Sequence, residues 1–549
     1  MKKLVTILLC CFALQISAQT AISSKQWQDD LRFLQTTVNE DYPFLFKKTT
    51  SQEFNSAVET LHDQIPNMED HEVIVGLSRV IALFKYGHTD ISFRQEPFTF
   101  RQFPFNFYQY NDGVYIQGTH KNYEKALGAK VNAINGISIE DALKTIAPVV
   151  PSENDQYFKA FGINYLRIPE VLHAQGISNE LSDTVELTLK KNGETFKQSF
   201  TALEKGKRIP VQYSHLFQKD DWLEARNQSE TPLYLKNIDK IYYYEYLAEE
   251  KAVYVRHSQI QDDPSEDIPT FYKGVFDFIE ANDVEKLILD VRLNGGGNNY
   301  KNKAVVTGII KSEKINQVGN LFVILGRRTF SACQNLVNEL DSYTNALFIG
   351  EPTSENVNFY GDNRQVELPN SKIPVFLSFA WWQDKPQWEN DEWLAPHISV
   401  DMSYSEYNSN KDPVLDVALN FAGEGFIKDP MAHFTNLFQT GNIEQLEKDA
   451  VDMVKDPRYS FFDFESEFNT AGYNLMGSNM NQEAIFVFTM ISKLFPDSAN
   501  AWDSLAEGYM TAGDLEKAKE YYNKAISLDP EGSTGDNARN MLKKIERGH

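Results

Sequence analysis

Ser331 stands where an apolar strand runs into an amphipathic helix. Leu321-Phe322-Val323-Ile324-Leu325 reads as a buried strand and Gly326 to Phe330 as a turn. Ser331 to Leu340 reads as a helix with Ala332, Leu336, Val337 and Leu340 on one face. A serine at a helix start is commonly an N-cap, its hydroxyl accepting a backbone N–H. The same place suits a nucleophile, because the helix dipole and the free N–H groups stabilise the oxyanion formed on attack. A second segment of chemical interest precedes it. Val284 to Val291 reads as another buried strand, entering Asn294-Gly295-Gly296-Gly297-Asn298 and then a helical stretch from Lys301 to Ile310. Glycines at a strand end either close a tight turn or let backbone N–H groups come close to an anion. The spacing of a dinucleotide site is absent, and no G-K-[ST] follows as in a P-loop. With 10 histidines and no H-E-x-x-H, a zinc site has no support, and neither metal nor cofactor is expected.

The elements that must position these residues are legible on both sides. Ala346-Leu347-Phe348-Ile349-Gly350 is a further strand, running into Glu351-Pro352-Thr353. Repeated strand–helix alternation predicts an α/β core with parallel pairs. Lys25 to Tyr86 reads as helices, with Leu31, Leu34 and Val38, then Val73, Leu77, Val80 and Phe84, at helical spacing. There Gly87 reads as a helix C-cap and His88 as a loop histidine. From about Phe98 to Leu203 the texture is β, with Thr184 to Leu189 alternating before an Asn192-Gly193 turn.

The C-terminal end repeats. Trp502, Leu505, Tyr509, Ala518, Tyr522, Ala525 and Pro530 occupy slots filled 34 residues earlier by Phe468, Ala471, Leu475, Ala484, Phe488, Ile491 and Pro496. That period is the tetratricopeptide one, in which small and large apolar residues let two helices interlock and stack on the next pair. Two repeats fall short of the three usually needed for stability. They should therefore lean on helices between Ala432 and Val454, on the main body or on a partner.

Three motifs taken together resemble the tail-specific (C-terminal-processing) serine peptidases, a family that includes the tricorn core and the modules of interphotoreceptor retinoid-binding protein. They are Asp290-Val291-Arg292-Leu293-Asn294-Gly295-Gly296-Gly297, Thr329-Phe330-Ser331-Ala332 and Gly350-Glu351-Pro352-Thr353, in matching order over Tyr234 to Ala422. The resemblance implies that Ser331 is the nucleophile. It also implies an oxyanion hole from the N–H of Ala332 with one from Gly296 or Gly297. A free hydroxyl needs a base within reach. One branch uses a lysine after the G-E-P-T turn, but Ser354-Glu355-Asn356-Val357-Asn358-Phe359 has none before Lys372. The tricorn-type branch uses histidine in a G-H-T motif, which implies His88 of Gly87-His88-Thr89-Asp90 as general base. For the group that orients the imidazole, the resemblance points to Glu389, in a loop where Asp384, Asp391 and Glu392 are rivals. His397 stands where the family carries aspartate after the proline. The G-x-K-V-x-x-I-N-G stretch from Gly128 to Gly136 resembles the family's peptide-binding PDZ-like domain, with a helical insertion around Glu153 to Gln175. That domain either adds an extended peptide to a sheet edge or only packs on the core.

The expected class is α+β and multidomain. A signal peptide at 1–18 (two lysines, the apolar run Leu4 to Leu14, then Ile16-Ser17-Ala18) predicts export to a periplasm or beyond. A helical region at 19–97 carries the G-H-T motif, followed by a PDZ-like domain at 98–205 and an α/β catalytic core at 206–428. A helical domain at 429–549 has repeats near 465–498 and 499–532. No later segment is long and apolar enough to span a membrane. Cys10 and Cys11 fall in the signal, so the processed chain keeps Cys333 and can form no internal disulfide. A formal charge of −24 argues against nucleic acid and anionic membrane surfaces as partners. The expected partners are a peptide or protein substrate and a protein held by the repeats. Two rival readings stay open: a silent module binding an apolar ligand or peptide on the same fold, and a periplasmic scaffold built on the repeats.

Overall fold

The computed structural model describes residues 22–422 and 426–547. The signal expected at 1–18 lies outside them. The protein is α+β, with a six-stranded sheet at its centre. Its strand order is Tyr242–Leu247, Ala252–His257, Lys286–Asp290, Leu321–Leu325, Leu347–Gly350 and Ile398–Ser399. The first pair is antiparallel and the rest are parallel. Leu321–Leu325 and Leu347–Gly350 are buried throughout, because helices cover both faces, and this is why they read as unbroken apolar runs. Ile268–Ala281, Asn302–Lys311 and Ala332–Tyr343 cover one face through Val275, Ile309, Leu336 and Leu340. Pro413–Leu419 covers the other with Val414, Leu415 and Ala418 against Ile288, Phe322 and Ile349. The glycine turn and the Ser331 turn both emerge at the carboxyl ends of parallel strands, where open α/β sheets place their ligands.

The β-rich region forms a seven-stranded sheet whose main path runs Trp222–Glu224, Gly113–His120, Lys130–Ile134, Thr184–Lys191 and Glu194–Thr201. Two of its hairpins close through Asn135-Gly136 and Asn192-Gly193, all four residues at positive φ, the turn that matches strand twist. Trp222–Glu224 pairs with Gly113–His120, so this sheet takes a strand from beyond residue 205. The insertion expected at Glu153 to Gln175 is helical, with Asp155–Ala160 and Pro169–Ala174 as its α-helices.

The N-terminal helices are Ser24–Asp41, Ser51–Gln64 and Asp70–Ala82. The last was expected to reach Tyr86 with Gly87 as its cap. It stops four residues earlier, and Lys85, at φ +52, turns the chain instead. The strand Asp90–Ile91 that follows pairs with Pro374–Trp382, which pairs with Phe359–Glu367 in a separate three-stranded sheet. Residues from the far end of the chain thus share a core with the N-terminal helices, as Tyr360, Val375 and Leu377 join Leu34, Phe84 and Ile91.

At the C-terminus, Phe464–Gly477, Asn481–Leu494, Ala499–Thr511 and Leu515–Leu528 are the four repeat helices, capped by Ser533–Arg547. They lean as expected on Pro430–Gln439 and Ile443–Lys455. Phe434, Leu446 and Met453 share a core with Phe468, Phe488 and Ile491. Among the described residues no helix is long and apolar enough to cross a membrane.

Candidate active site

Ser331 is the last residue before the helix Ala332–Tyr343, yet its side chain makes no capping hydrogen bond. Its backbone has φ 58° and ψ −129°, a conformation that L-residues rarely adopt and that costs about 1–3 kcal/mol. The turn is held from several directions. Thr329 Oγ1 donates to Val291 O (3.1 Å) and accepts the Gly326 N–H (3.1 Å), while the Phe330 N–H donates to Asn294 O (3.2 Å). A sharp strand-to-helix turn of this kind lifts the serine hydroxyl out of the helix start and exposes it to a base.

His88, 243 residues away in sequence, lies against that hydroxyl, its Nε2 2.9 Å from Ser331 Oγ. The three-stranded sheet brings it there. Thr89, fully buried, donates to Ser378 Oγ (2.8 Å) and accepts the Ser378 N–H (3.1 Å), and Asn363 Nδ2 donates to His88 O (3.0 Å). Gly87 packs where a Cβ would stand 2.3 Å from Tyr157 and 2.8 Å from Phe330. The imidazole is stacked on Phe330, with centroids 4.6 Å apart and planes at 16°, and lies near-parallel to Phe359 at 6.2 Å. Burial lowers the His88 pKa, against the opposing pull of Glu153, Asp362 and Asp90. The ring is thereby kept neutral and able to accept a proton at neutral pH.

The carboxylate beside the imidazole is that of Glu355, not of Glu389. Glu355 Oε1 is 3.1 Å from His88 Nδ1, and its other oxygen accepts the Ser331 N–H. The Nδ1–Oε1 pair is close but imperfectly aligned, and neither atom has another partner. Such contacts commonly tighten when substrate binds. Glu389 is exposed, and its backbone, not its carboxylate, is engaged, by Pro386 O and Asn358 Nδ2. Among its rivals, Asp384 is taken by the side-chain amides of Asn335 (2.6 Å) and Asn338 (3.0 Å). His397 serves the core, its Nδ1 accepting the Phe348 N–H (3.0 Å).

The expected oxyanion donors are brought together, with one correction. A Cβ on Gly296 (φ +93°) would fall 2.5 Å from Ser331 Cβ and 2.9 Å from Ala332 N, so only glycine fits. The Gly296 N–H, however, already donates to Asn294 Oδ1 (2.9 Å) and is not free for an oxyanion. Gly297 and Ala332 remain. Ala332 is the first helical residue, whose N–H has no intrahelical acceptor. Gly297, at φ +147°, presses against Ile260 O where a Cβ would stand 2.3 Å away.

Two residues behind the site had no distinguishing signal in the sequence. Glu153, from the helical insertion, is fully buried and clamps the two halves of the site. Its Oε1 accepts the N–H of Gly87, next to the base, and its Oε2 that of Asn356 (3.3 Å), next to Glu355. Lys48 Nζ lies 3.8 Å from Glu153 and donates to Lys85 O (3.0 Å) and Asn356 Oδ1. Burial holds Glu355 well above the usual carboxylate range, opposed by the Ser331 N–H and Lys48. Burial likewise pushes Glu153 up to about 7, with Lys48 opposing and Glu355 adding. Ligand atoms of His88, Glu153 and Glu355 lie within 4.8 Å of one another, so these three side chains could also hold a cation.

The raised Glu153 pKa has a consequence for stability. Its contribution is full below pH 4.5 and is lost as pH rises through about 7. The loss is on the order of 3 kcal/mol for a shift of this size. Glu153→Gln cannot ionise and is expected to lack this decline. Denaturant unfolding of both proteins at pH 4.5 and 7.5 measures it, and parallel pH dependences would refute the assignment.

Residues 499–531 match the tetratricopeptide repeat family model. No curated protein sequence matches the chain. Among solved structures, mature CPAF complexed with lactacystin is similar at 12% identity, over 70% of this chain and 95% of that one, with a TM-score of 0.47. The photosystem II D1 C-terminal processing protease is similar at 12% identity, over 73% of this chain and 99% of that one, TM-score 0.34. The tricorn protease is similar at 14% identity, over 72% of this chain and 36% of that one, TM-score 0.34.

Proposed function

We propose that the protein is an exported serine peptidase that cleaves peptide bonds through an acyl-enzyme on Ser331. The observation that carries this reading is the 2.9 Å contact of His88 Nε2 with a serine hydroxyl held in a strained turn outside any capping role. His88 takes the proton from Ser331 Oγ as the oxygen attacks the scissile carbonyl. The N–H groups of Ala332 and Gly297 receive the oxyanion. Glu355 holds the ring by Nδ1 and stabilises its cation, and His88 then returns the proton to the leaving amine. Water, activated by the same imidazole, releases the acyl group. In this reading 98–205 is a PDZ-like domain and 206–428 the catalytic core, so the edge strand Glu194–Thr201 is the place where an extended substrate would add to the sheet. The repeats would hold a protein partner, as such helix pairs do. The apolar-ligand reading called for an aromatic-lined pocket. A cavity of about 440 Å³ walled by Phe434, Phe438, Phe468 and Phe486 lies among the C-terminal helices, and a ligand held there would give Ser331 and His88 no role.

The test is covalent labelling of the protein lacking residues 1–18 with a fluorophosphonate probe, followed by peptide mapping. The adduct is expected on Ser331. A folded protein that stays unlabelled, or carries the label elsewhere, rejects the reading.

A further inference from the structure

Two arginines stand side by side just before the nucleophile, and only one is neutralised. Arg327 is fully engaged: its Nη2 lies 2.6 Å from Glu351 and 3.8 Å from Asp401, and its Nε donates to Glu351 (3.0 Å). Arg328 meets no carboxylate within ion-pair distance among the described residues. Its Nη1 donates to the Ser214 hydroxyl (3.1 Å), and its guanidinium lies over Phe161 at 5.0 Å and Tyr213 at 6.0 Å. The other edge is unpaired. Nε is buried without an acceptor, and Nη2 donates to none of the described residues. In a chain with 77 acidic and 53 basic residues, this is not for want of carboxylates.

The unpaired Nε–Nη2 edge is a planar fork suited to a carboxylate taken through two parallel hydrogen bonds. It flanks the glycine turn. Nη2 is 3.4 Å from where a Cβ on Gly295 would stand, and a Cβ on the next residue, Gly296, would stand 2.5 Å from Ser331 Cβ. Phe161, under the guanidinium, is 5.9 Å from Phe330, which in turn stacks on His88. Burial lowers the Arg328 pKa only to about 10, so the group is cationic at neutral pH.

We propose that Arg328 is a substrate-binding subsite that takes a carboxylate, through its Nε–Nη2 edge, from a peptide lying across the glycine turn. Its place beside the scissile bond rests on the reading of Ser331 as nucleophile; the carboxylate recognition does not. In a peptide the carboxylate comes from an acidic side chain or from the chain terminus, and the chemistry at the fork is the same.

The test is equilibrium binding of dye-labelled heptapeptides to the Ser331→Ala protein, which reads recognition without turnover. All peptides share one neutral sequence of alanine, valine and glycine. One is amidated, one ends in a free carboxylate, and an amidated series carries a single aspartate moved along the chain. A carboxylate peptide is expected to bind about tenfold or more tightly than the neutral one, the size of one charge-assisted hydrogen bond. Arg328→Gln in the same background is expected to erase that preference, and Arg328→Lys, with charge but no fork, to restore it only in part. Preference for the free terminus assigns the site to chain ends; preference at one aspartate position assigns it to an acidic side chain. The proposal is overturned if no carboxylate peptide is preferred with Arg328 intact. It is also overturned if Arg328→Gln weakens all peptides alike and leaves the preference in place. Should Arg328→Gln not fold, as judged by circular dichroism, the comparison is made with Arg328→Lys. An unlabelled Ser331 in the fluorophosphonate experiment would instead count against the peptidase reading and leave a measured binding preference standing.

Discussion

Ser331→Ala is expected to lower kcat for peptide hydrolysis by about four to six orders of magnitude, and His88→Ala by a similar factor. The two side chains meet at 2.9 Å and act on one proton, so the double variant should be little worse than either single one. Groups that work as a unit are non-additive in this way. The measurement is kcat and KM on one peptide for all four proteins, with KM nearly unchanged. Losses that simply multiply, or a His88→Ala variant within tenfold of the parent, would remove His88 as the base. The same position carries a stability effect of opposite sign. Ser331 is held at φ 58°, which glycine adopts without penalty. Ser331→Gly is therefore expected to be inactive yet more stable by about 1–2 kcal/mol, whereas Ser331→Ala keeps the strain. That pairing of lost activity with gained stability is what a strained site predicts.

The second large effect separates the two glutamates. Glu355→Gln keeps the size and one oxygen of the side chain but removes the carboxyl group that, in the proposed mechanism, fixes the imidazole tautomer and ionises to stabilise its cation. A fall in kcat of about 10²–10⁴ is expected, in line with the loss when a buried triad carboxylate becomes an amide. Glu389→Gln should leave kcat within about twofold, since its side chain is exposed and touches neither His88 nor Ser331. Steady-state kinetics on the two variants decides it. A large loss in Glu389→Gln with a small one in Glu355→Gln would mean that the loop closes over the site when substrate binds. Glu355 would then be a structural acid.

Much of the framework was readable from local pattern. The strands Lys286–Asp290, Leu321–Leu325 and Leu347–Gly350, the helix after Ser331 and the four repeat helices fall where periodicity places them. A buried parallel strand and an amphipathic helix each write their burial into adjacent residues. The glycine turn, Ser331 and His88 were likewise identified through motifs. The acid that lies beside His88 is not legible in the chain, because several carboxylates stand at plausible distances along it. Glu355 stands two residues beyond Gly350-Glu351-Pro352-Thr353, and nothing in its local pattern sets it apart.

What the chain determined by itself, then, is the set of elements, the turn that presents Ser331 and the residue types able to act there. Tertiary structure decided which groups meet. His88 reaches Ser331 only because Asp90–Ile91 pairs with Pro374–Trp382. Glu153 reaches both halves only because the helical insertion folds back against Gly87 and Asn356. Gly296 is withdrawn from the oxyanion hole by a side chain two residues before it. Each of these depends on long-range packing and on how buried donors find acceptors. Neither leaves a periodic trace in sequence, because the partners are joined by loops and not by the repeat of one element.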